Sequence, residues 1–209
     1  GRPGGPELAR LPQGLPPGRQ YRGPADSGYA REPVAYTQAP IATGALTPSQ
    51  SLVQSAFAKL QMRDLSGSLF DMSRAIDADR GNSQAWSGRA FLLNRAKDYQ
   101  AAISDANQAL QLDPDNAQAL RERGYAQYQV GNYQAALADL DKAVALDPKN
   151  AMAYYYRAQV YEKLGRAQDA VGDYTTAAAL DPGMRMLVQE ALARLKATTA
   201  AQPVKPVKN

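Results

Sequence analysis

The chain has 209 residues, a net charge of +4, and neither cysteine nor histidine. That composition excludes disulfides, thiolate nucleophiles, imidazole bases and metal sites built from Cys or His. The length suits one domain with tails, and no apolar run approaches the roughly 20 residues that span a bilayer.

Residues 1–48 hold nine prolines and eight glycines, with single apolar residues scattered between them. Such a composition forms no packed core, so residues 1–46 read as an extended tail without secondary structure of its own. Two roles fit it. It is either a flexible linker, or a strap lying along a partner with Tyr21, Tyr29 and Tyr36 as its anchors. Its five arginines against three acids give it +2, residues 201–209 add another +2, and the remainder is neutral. A nucleic-acid reader concentrates basic charge on its folded surface, so this distribution argues against nucleic acid as the partner.

Thr47-Pro48 reads as a helix start, with threonine capping and proline in the first turn. Helices are predicted over 49–62 and 66–78. From Ser83 to Pro182 a 34-residue unit then runs three times, marked by Asp113-Pro114, Asp147-Pro148 and Asp181-Pro182, each preceded by leucine. Ala102, Ala136 and Ala170 repeat in step, as do Ala109, Ala143 and Ala177, and Ala90, Gly124 and Ala158. A fixed period of this length signals a stacked array. The period continues backwards in degraded form: Ala56 and Ala75 keep it, while Arg80 stands where the closing proline would be and Ser68 where Ala102 stands. Residues 47–82 are therefore a degenerate first unit, followed by units at 83–116, 117–150 and 151–183.

Each clear unit predicts two helices, near 83–95 and 99–112, 117–130 and 133–146, and 151–164 and 167–180. Asn82, Asn116 and Asn150 stand where an N-cap is wanted. Proline follows each second helix because it cannot continue one, and Gly131 and Gly165 fall at the turns inside their units. Residues 184–198 read as a closing helix, with Met184, Leu187, Val188, Leu192 and Leu195 on its apolar stripe. Residues 199–209 read as a disordered tail.

This pattern resembles the tetratricopeptide repeat (TPR) family. Trp86, Leu120 and Tyr154 take the place of the large residue near the start of each unit. The alanines and Gly124 take the small places where two helices cross, Tyr99, Tyr133 and Ala167 open the second helix, and Pro114, Pro148 and Pro182 close. One departure is visible: Arg89, Arg123 and Arg157 stand where a leucine is usual. The resemblance implies an all-α fold, a right-handed superhelical solenoid of antiparallel helix pairs. A C-terminal capping helix closes it and the extended N-terminal tail precedes it. It also implies that the first helices line a concave groove. The groove residues would be Phe91 and Asn94, then Arg121, Tyr125 and Tyr128, then Tyr155, Tyr156 and Gln159, with Gln84, Ser87, Gln118, Glu122, Met152 and Lys163 beside them. Tyr154, Tyr155 and Tyr156 cannot all face one way; Tyr154, in the place of Trp86, is assigned to the core. Some members clamp the C-terminal carboxylate of a chaperone with a Lys/Asn/Arg set. Here those places hold Ser87, Phe91, Glu122, Met152 and Tyr156, so that clamp is absent.

Catalysis finds no support, and no cofactor or metal is implied. Asp113, Asp115 and Asn116 crowd together, but the spacing is wrong for a calcium loop and Lys149 breaks the equivalent cluster. The reading is a non-catalytic interaction scaffold or assembly subunit. Its groove takes a segment of a protein partner, within a larger complex, and its N-terminal tail adds a second contact. The alternatives are an accessory subunit of a membrane-associated or redox complex held mainly by the tail, or an envelope assembly factor of the pilotin kind. The chain opens on Gly1 rather than methionine, which reads as an upstream piece: a signal peptide, a lipoprotein anchor or a further domain. With the absent cysteines, that suggests a bacterial periplasmic or envelope-associated protein, with membrane association through the upstream piece, or else a cytoplasmic one.

Overall fold

The computed structural model describes residues 45–200, of which 198–200 by backbone alone. The expectations for the N-terminal tail, for its anchors Tyr21, Tyr29 and Tyr36, and for residues 201–209 lie outside the described residues.

The first helix opens on a reciprocal cap. The Gln50 N–H donates to Thr47 Oγ1 at 3.2 Å, and the Thr47 N–H donates to Gln50 Oε1 at 3.0 Å. The helices run in order as α1 (Pro48–Gln61), α2 (Leu65–Ala78), α3 (Ser83–Arg95), α4 (Tyr99–Leu112), α5 (Ala117–Gln129), α6 (Tyr133–Leu146), α7 (Ala151–Lys163) and α8 (Ala167–Leu180). A single 3₁₀ turn at Pro182–Met184 leads into α9 (Arg185–Ala200). Among the described residues there is no strand, and the helices pack as consecutive antiparallel pairs.

Local chemistry explains where the elements stop. Asn82, Asn116 and Asn150 cap α3, α5 and α7, each accepting a backbone N–H from the first turn. Asp64 and Asp98 do the same for α2 and α4. At the far ends, the carboxylates of Asp79, Asp113, Asp147 and Asp181 each accept the N–H two residues on. The crowded aspartates are therefore turn residues. The turn inside each unit needs a left-handed residue, and the period carries it: Arg63, Lys97, Gly131 and Gly165 have φ of 61°, 63°, 87° and 71°. Glycine alone adopts this conformation without a steric penalty.

Small residues let the paired helices close. Ala90, Ala102, Ala109, Ala136, Ala158, Ala170 and Ala177 are fully buried. Apolar packing forms a large cluster toward each end of the array and a small one at Leu120, Val144 and Ala153 between them. Val53, Met72, Ile76, Phe91 and Leu92 form the N-terminal cluster. Leu140, Tyr156, Tyr174, Val188 and Leu195 belong to the C-terminal one, into which α9 packs. Between them α4 offers mainly alanine, with Ala102, Ala106 and Ala109 buried. Leu112, Leu146 and Leu180, the markers of the repeat, are about 40% exposed at the ends of their helices.

The arginines that replace the usual leucine are tied into a ladder. Arg89 pairs bidentately with Asp105, Arg123 with Asp139 and Arg157 with Asp173, at 2.6–2.9 Å. Each arginine also reaches the second helix of the preceding unit, through Nη1, to Ser73, Asn107 and Asp141 in turn. One guanidinium therefore joins three helices in two units. The degenerate first unit has Ser55 at this place. There Asp71 takes Ser55 Oγ at 2.6 Å and Lys59 Nζ at 2.6 Å instead.

Candidate functional site

The layering follows from which helices touch. Contacts run from α1 to α3, from α3 to α5 and from α5 to α7, whereas no comparable contact joins α2, α4, α6 and α8 to one another among the described residues. The first helices thus form one continuous layer and the second helices a separate backing to it. Side chains of α3, α5 and α7 that turn away from the backing meet along the first-helix face.

Aromatic rings join across that face. Tyr125 of α5 and Tyr156 of α7 lie with ring centroids 4.4 Å apart. Tyr155 lies 6.2 Å from Tyr156 and 5.4 Å from Tyr174 of α8, and Tyr99 of α4 stands edge-on to Tyr125 at 6.3 Å. Tyr128 pairs with Tyr133 at 5.9 Å. Aromatic pairs at these separations stabilise beyond their buried area. Tyr125, Tyr155 and Tyr156 are buried, at 8%, 4% and 6% exposure. Phe91 is buried as well and lies under the Arg95 guanidinium at 5.5 Å. Tyr154, assigned to the core from the sequence, is the half-buried member of its triplet. Its ring lies under Arg157 at 5.5 Å, as that of Trp86 lies under Arg89 at 5.1 Å. The ladder arginine covers one face of each ring.

Amides and one carboxylate lie among the rings. Asn94 of α3 donates from Nδ2 to the Glu122 carbonyl at 2.9 Å and to Glu122 Oε2 at 3.0 Å. Arg121 donates to Glu122 Oε1 from Nε at 3.0 Å and Nη2 at 2.7 Å. Glu122 is only 2% exposed. Gln159 Nε2 lies 3.5 Å from the Tyr155 hydroxyl. The buried atoms Asn94 Oδ1, Gln118 Nε2 and Gln159 Oε1 have no hydrogen-bond partner.

Sequence reasoning placed the α3, α5 and α7 residues on one face but missed Tyr174 and the bonds that Glu122 makes. Tyr174 stands where the other units have Ala106 and Leu140, so the period hid it. Its hydroxyl is fully buried, and burial pushes its pKa above the ordinary tyrosine value. Glu122 was placed beside the groove, but nothing in the sequence marked it as the partner of both Asn94 and Arg121. Among the described residues no group of three or more His, Cys, Asp or Glu is placed to hold a metal ion.

Family comparison agrees with this architecture. Three models, each described as tetratricopeptide repeat, match residues 56–117, 89–155 and 140–172. The chain belongs to the TPR family. No curated protein matches it. Among solved structures, this TPR chain is similar to MamA 41-end from Desulfovibrio magneticus RS-1, with a TM-score of 0.61 at 18% identity, over 75% of this chain and 88% of that one. It is similar to PilF of Pseudomonas aeruginosa, with a TM-score of 0.63 at 18% identity, over 73% and 69%. It is also similar to the first TPR of Spaghetti (RPAP3) bound to the HSP90 peptide SRMEEVD, with a TM-score of 0.53 at 22% identity, over 56% and 94%. At these identities the likeness is one of fold.

Proposed function

We propose that this TPR protein is a non-catalytic scaffold whose first-helix face binds a segment of a protein partner. The observation that carries the reading is the continuous first-helix face, where Arg121, Tyr128 and Gln159 stay partly exposed above the buried Tyr125–Tyr156 contact at 4.4 Å. Tyrosine gives large contact area at low conformational cost, and amides can bond a peptide main chain. That a neighbour of the same fold holds a peptide supports the reading at the level of fold. The Pro/Gly-rich N-terminal segment, with Tyr21, Tyr29 and Tyr36, serves as a second contact with the partner. Two modest contacts on one chain gain affinity through effective concentration.

Affinity capture from source-cell extract tests this with three proteins: the full chain, a chain beginning at Thr47, and a Tyr128→Ala/Gln159→Ala variant whose fold is checked by circular dichroism. A partner held by the first two and lost by the third supports recognition on the repeats. A partner lost with residues 1–46 and held by the variant would move recognition to the tail.

A further inference from the structure

We infer that the outer faces of the second helices join one copy of this chain to another. The outer face of α2 in one copy seats against that of α8 in the next, with Phe70 as the knob and Gly172 as its socket. The inference concerns the backing helices and does not depend on the groove reading.

The 34-residue period puts Phe70, Ser104, Ala138 and Gly172 at one equivalent place on α2, α4, α6 and α8. All four are exposed, so packing inside the chain does not decide their size. Phe70 is the bulkiest and stands 61% exposed, with the Arg74 guanidinium 5.9 Å from its ring centroid. Gly172 is the opposite extreme. A Cβ on it would meet nothing within 4 Å, so the helix forgoes a stabilising side chain without a reason inside the chain. Bare backbone lets a group from outside come close. Beside it Val171 is 40% exposed, and the Thr175 and Thr176 hydroxyls donate back to the carbonyls of Val171 and Gly172 at 2.7 and 3.0 Å. The immediate surface of the socket therefore has no charge and no unmet hydroxyl donor, which suits an aromatic ring.

Charge selects the occupant and its orientation. Set Phe70 on Gly172 with the two helices antiparallel. One turn along α2, Arg74 then comes level with Asp169 to within a residue, and Asp77 does the same with Arg166. Arg166 and Asp169 are 48% and 47% exposed, and Arg74 and Asp77 are exposed as well. Both approaches put unlike charges together. Parallel helices would set Arg74 against Thr176 and Asp77 against Ala179, and no charge would be met. The two outer faces thus complement each other in shape and in charge, in one orientation. The contact joins unlike surfaces, so two joined copies keep one free α2 and one free α8. Assembly then continues as concentration rises.

The test is sedimentation velocity on the full chain from about 10 µM to about 1 mM, the range in which a small contact associates. The mean mass should climb with concentration past that of a dimer. Phe70→Ala removes the knob and Gly172→Leu fills the socket. Each should weaken association at least about tenfold, with the fold checked by circular dichroism. Arg74→Glu reverses one charge and should weaken it about threefold or more. An equimolar mixture of Phe70→Ala and Gly172→Leu is the deciding arm. The first chain keeps a socket and the second a knob, so the mixture should form one-to-one pairs and stop there. A wild-type chain that stays monomeric throughout overturns the inference. So does association that survives any one of the three substitutions, or a mixture that yields anything other than one-to-one pairs.

Discussion

Replacing Arg123 by leucine puts the usual residue of the family back into the ladder, and the structure says it should harm this protein. Arg123 makes two bonds of 2.7 Å to Asp139 and a third of 2.7 Å to Asn107. The side chains of Arg123 and Asp139 are 25% and 10% exposed. Removing one partner of a buried pair strands the other charge, which costs about 3–5 kcal/mol when burial is complete. Water can reach the edge of this pair, so Arg123→Leu should cost about 2–4 kcal/mol. Replacing both partners, Arg123→Leu with Asp139→Leu, strands nothing and should lie within about 1 kcal/mol of wild type. The assay is urea unfolding followed by far-ultraviolet circular dichroism and by fluorescence of Trp86, the single tryptophan. The four proteins form a double-mutant cycle. A single substitution costing under about 0.5 kcal/mol would refute the reasoning, as would a double variant as unstable as the sum of the singles.

Three further outcomes follow from neighbouring features. Lys97→Gly relieves a side chain held at φ 63° and should stabilise by about 1 kcal/mol, whereas Gly131→Ala at φ 87° should destabilise by a similar amount. Gly124→Ala and Gly172→Ala should act in opposite directions, read as urea midpoints. A Cβ on Gly124 would lie 2.7 Å from Cγ of the buried Leu140 and 3.2 Å from the Ala136 carbonyl, for a loss of about 1–3 kcal/mol, while Gly172 has open space and should gain about 0.5–1 kcal/mol. The third outcome concerns acid. Burial alone would raise the Asp71 pKa, but hydrogen bonds from Lys59 and Ser55 and the nearby positive charges outweigh it and hold the carboxyl below its ordinary value. The stabilisation is therefore complete above the ordinary aspartate value of about 4 and is lost as the pH falls through the lower folded value. Asp71→Asn should flatten that part of a stability-versus-pH curve.

The period and the caps made the helices and their pairing legible, because Asn82, Asn116 and Asn150 act through neighbours close in sequence. The left-handed turn was legible at Gly131 and Gly165 from residue type, but Arg63 and Lys97 adopt the same conformation, and only the period points to them. The ladder was half legible. The arginines stood out as a departure, yet their aspartate partners lie sixteen residues on, on a different helix, and pairing at that range is decided by packing. The site shows the same limit. A face can be assigned from helical spacing, but burial of Tyr155 depends on Tyr174 arriving from α8.

The ladder also bears on how such a gene can change length. Each arginine grips its own unit sixteen residues ahead and the preceding unit sixteen residues behind. An in-frame loss of residues 117–150 would set Arg157 against Asn107, the residue that Arg123 holds now. Asn116 would precede Ala151 and serve as the cap that Asn150 supplies at present. The joint left by such a recombination is chemically one the protein already contains. Inheritance can therefore lengthen or shorten the first-helix face in whole steps that keep the ladder and the caps.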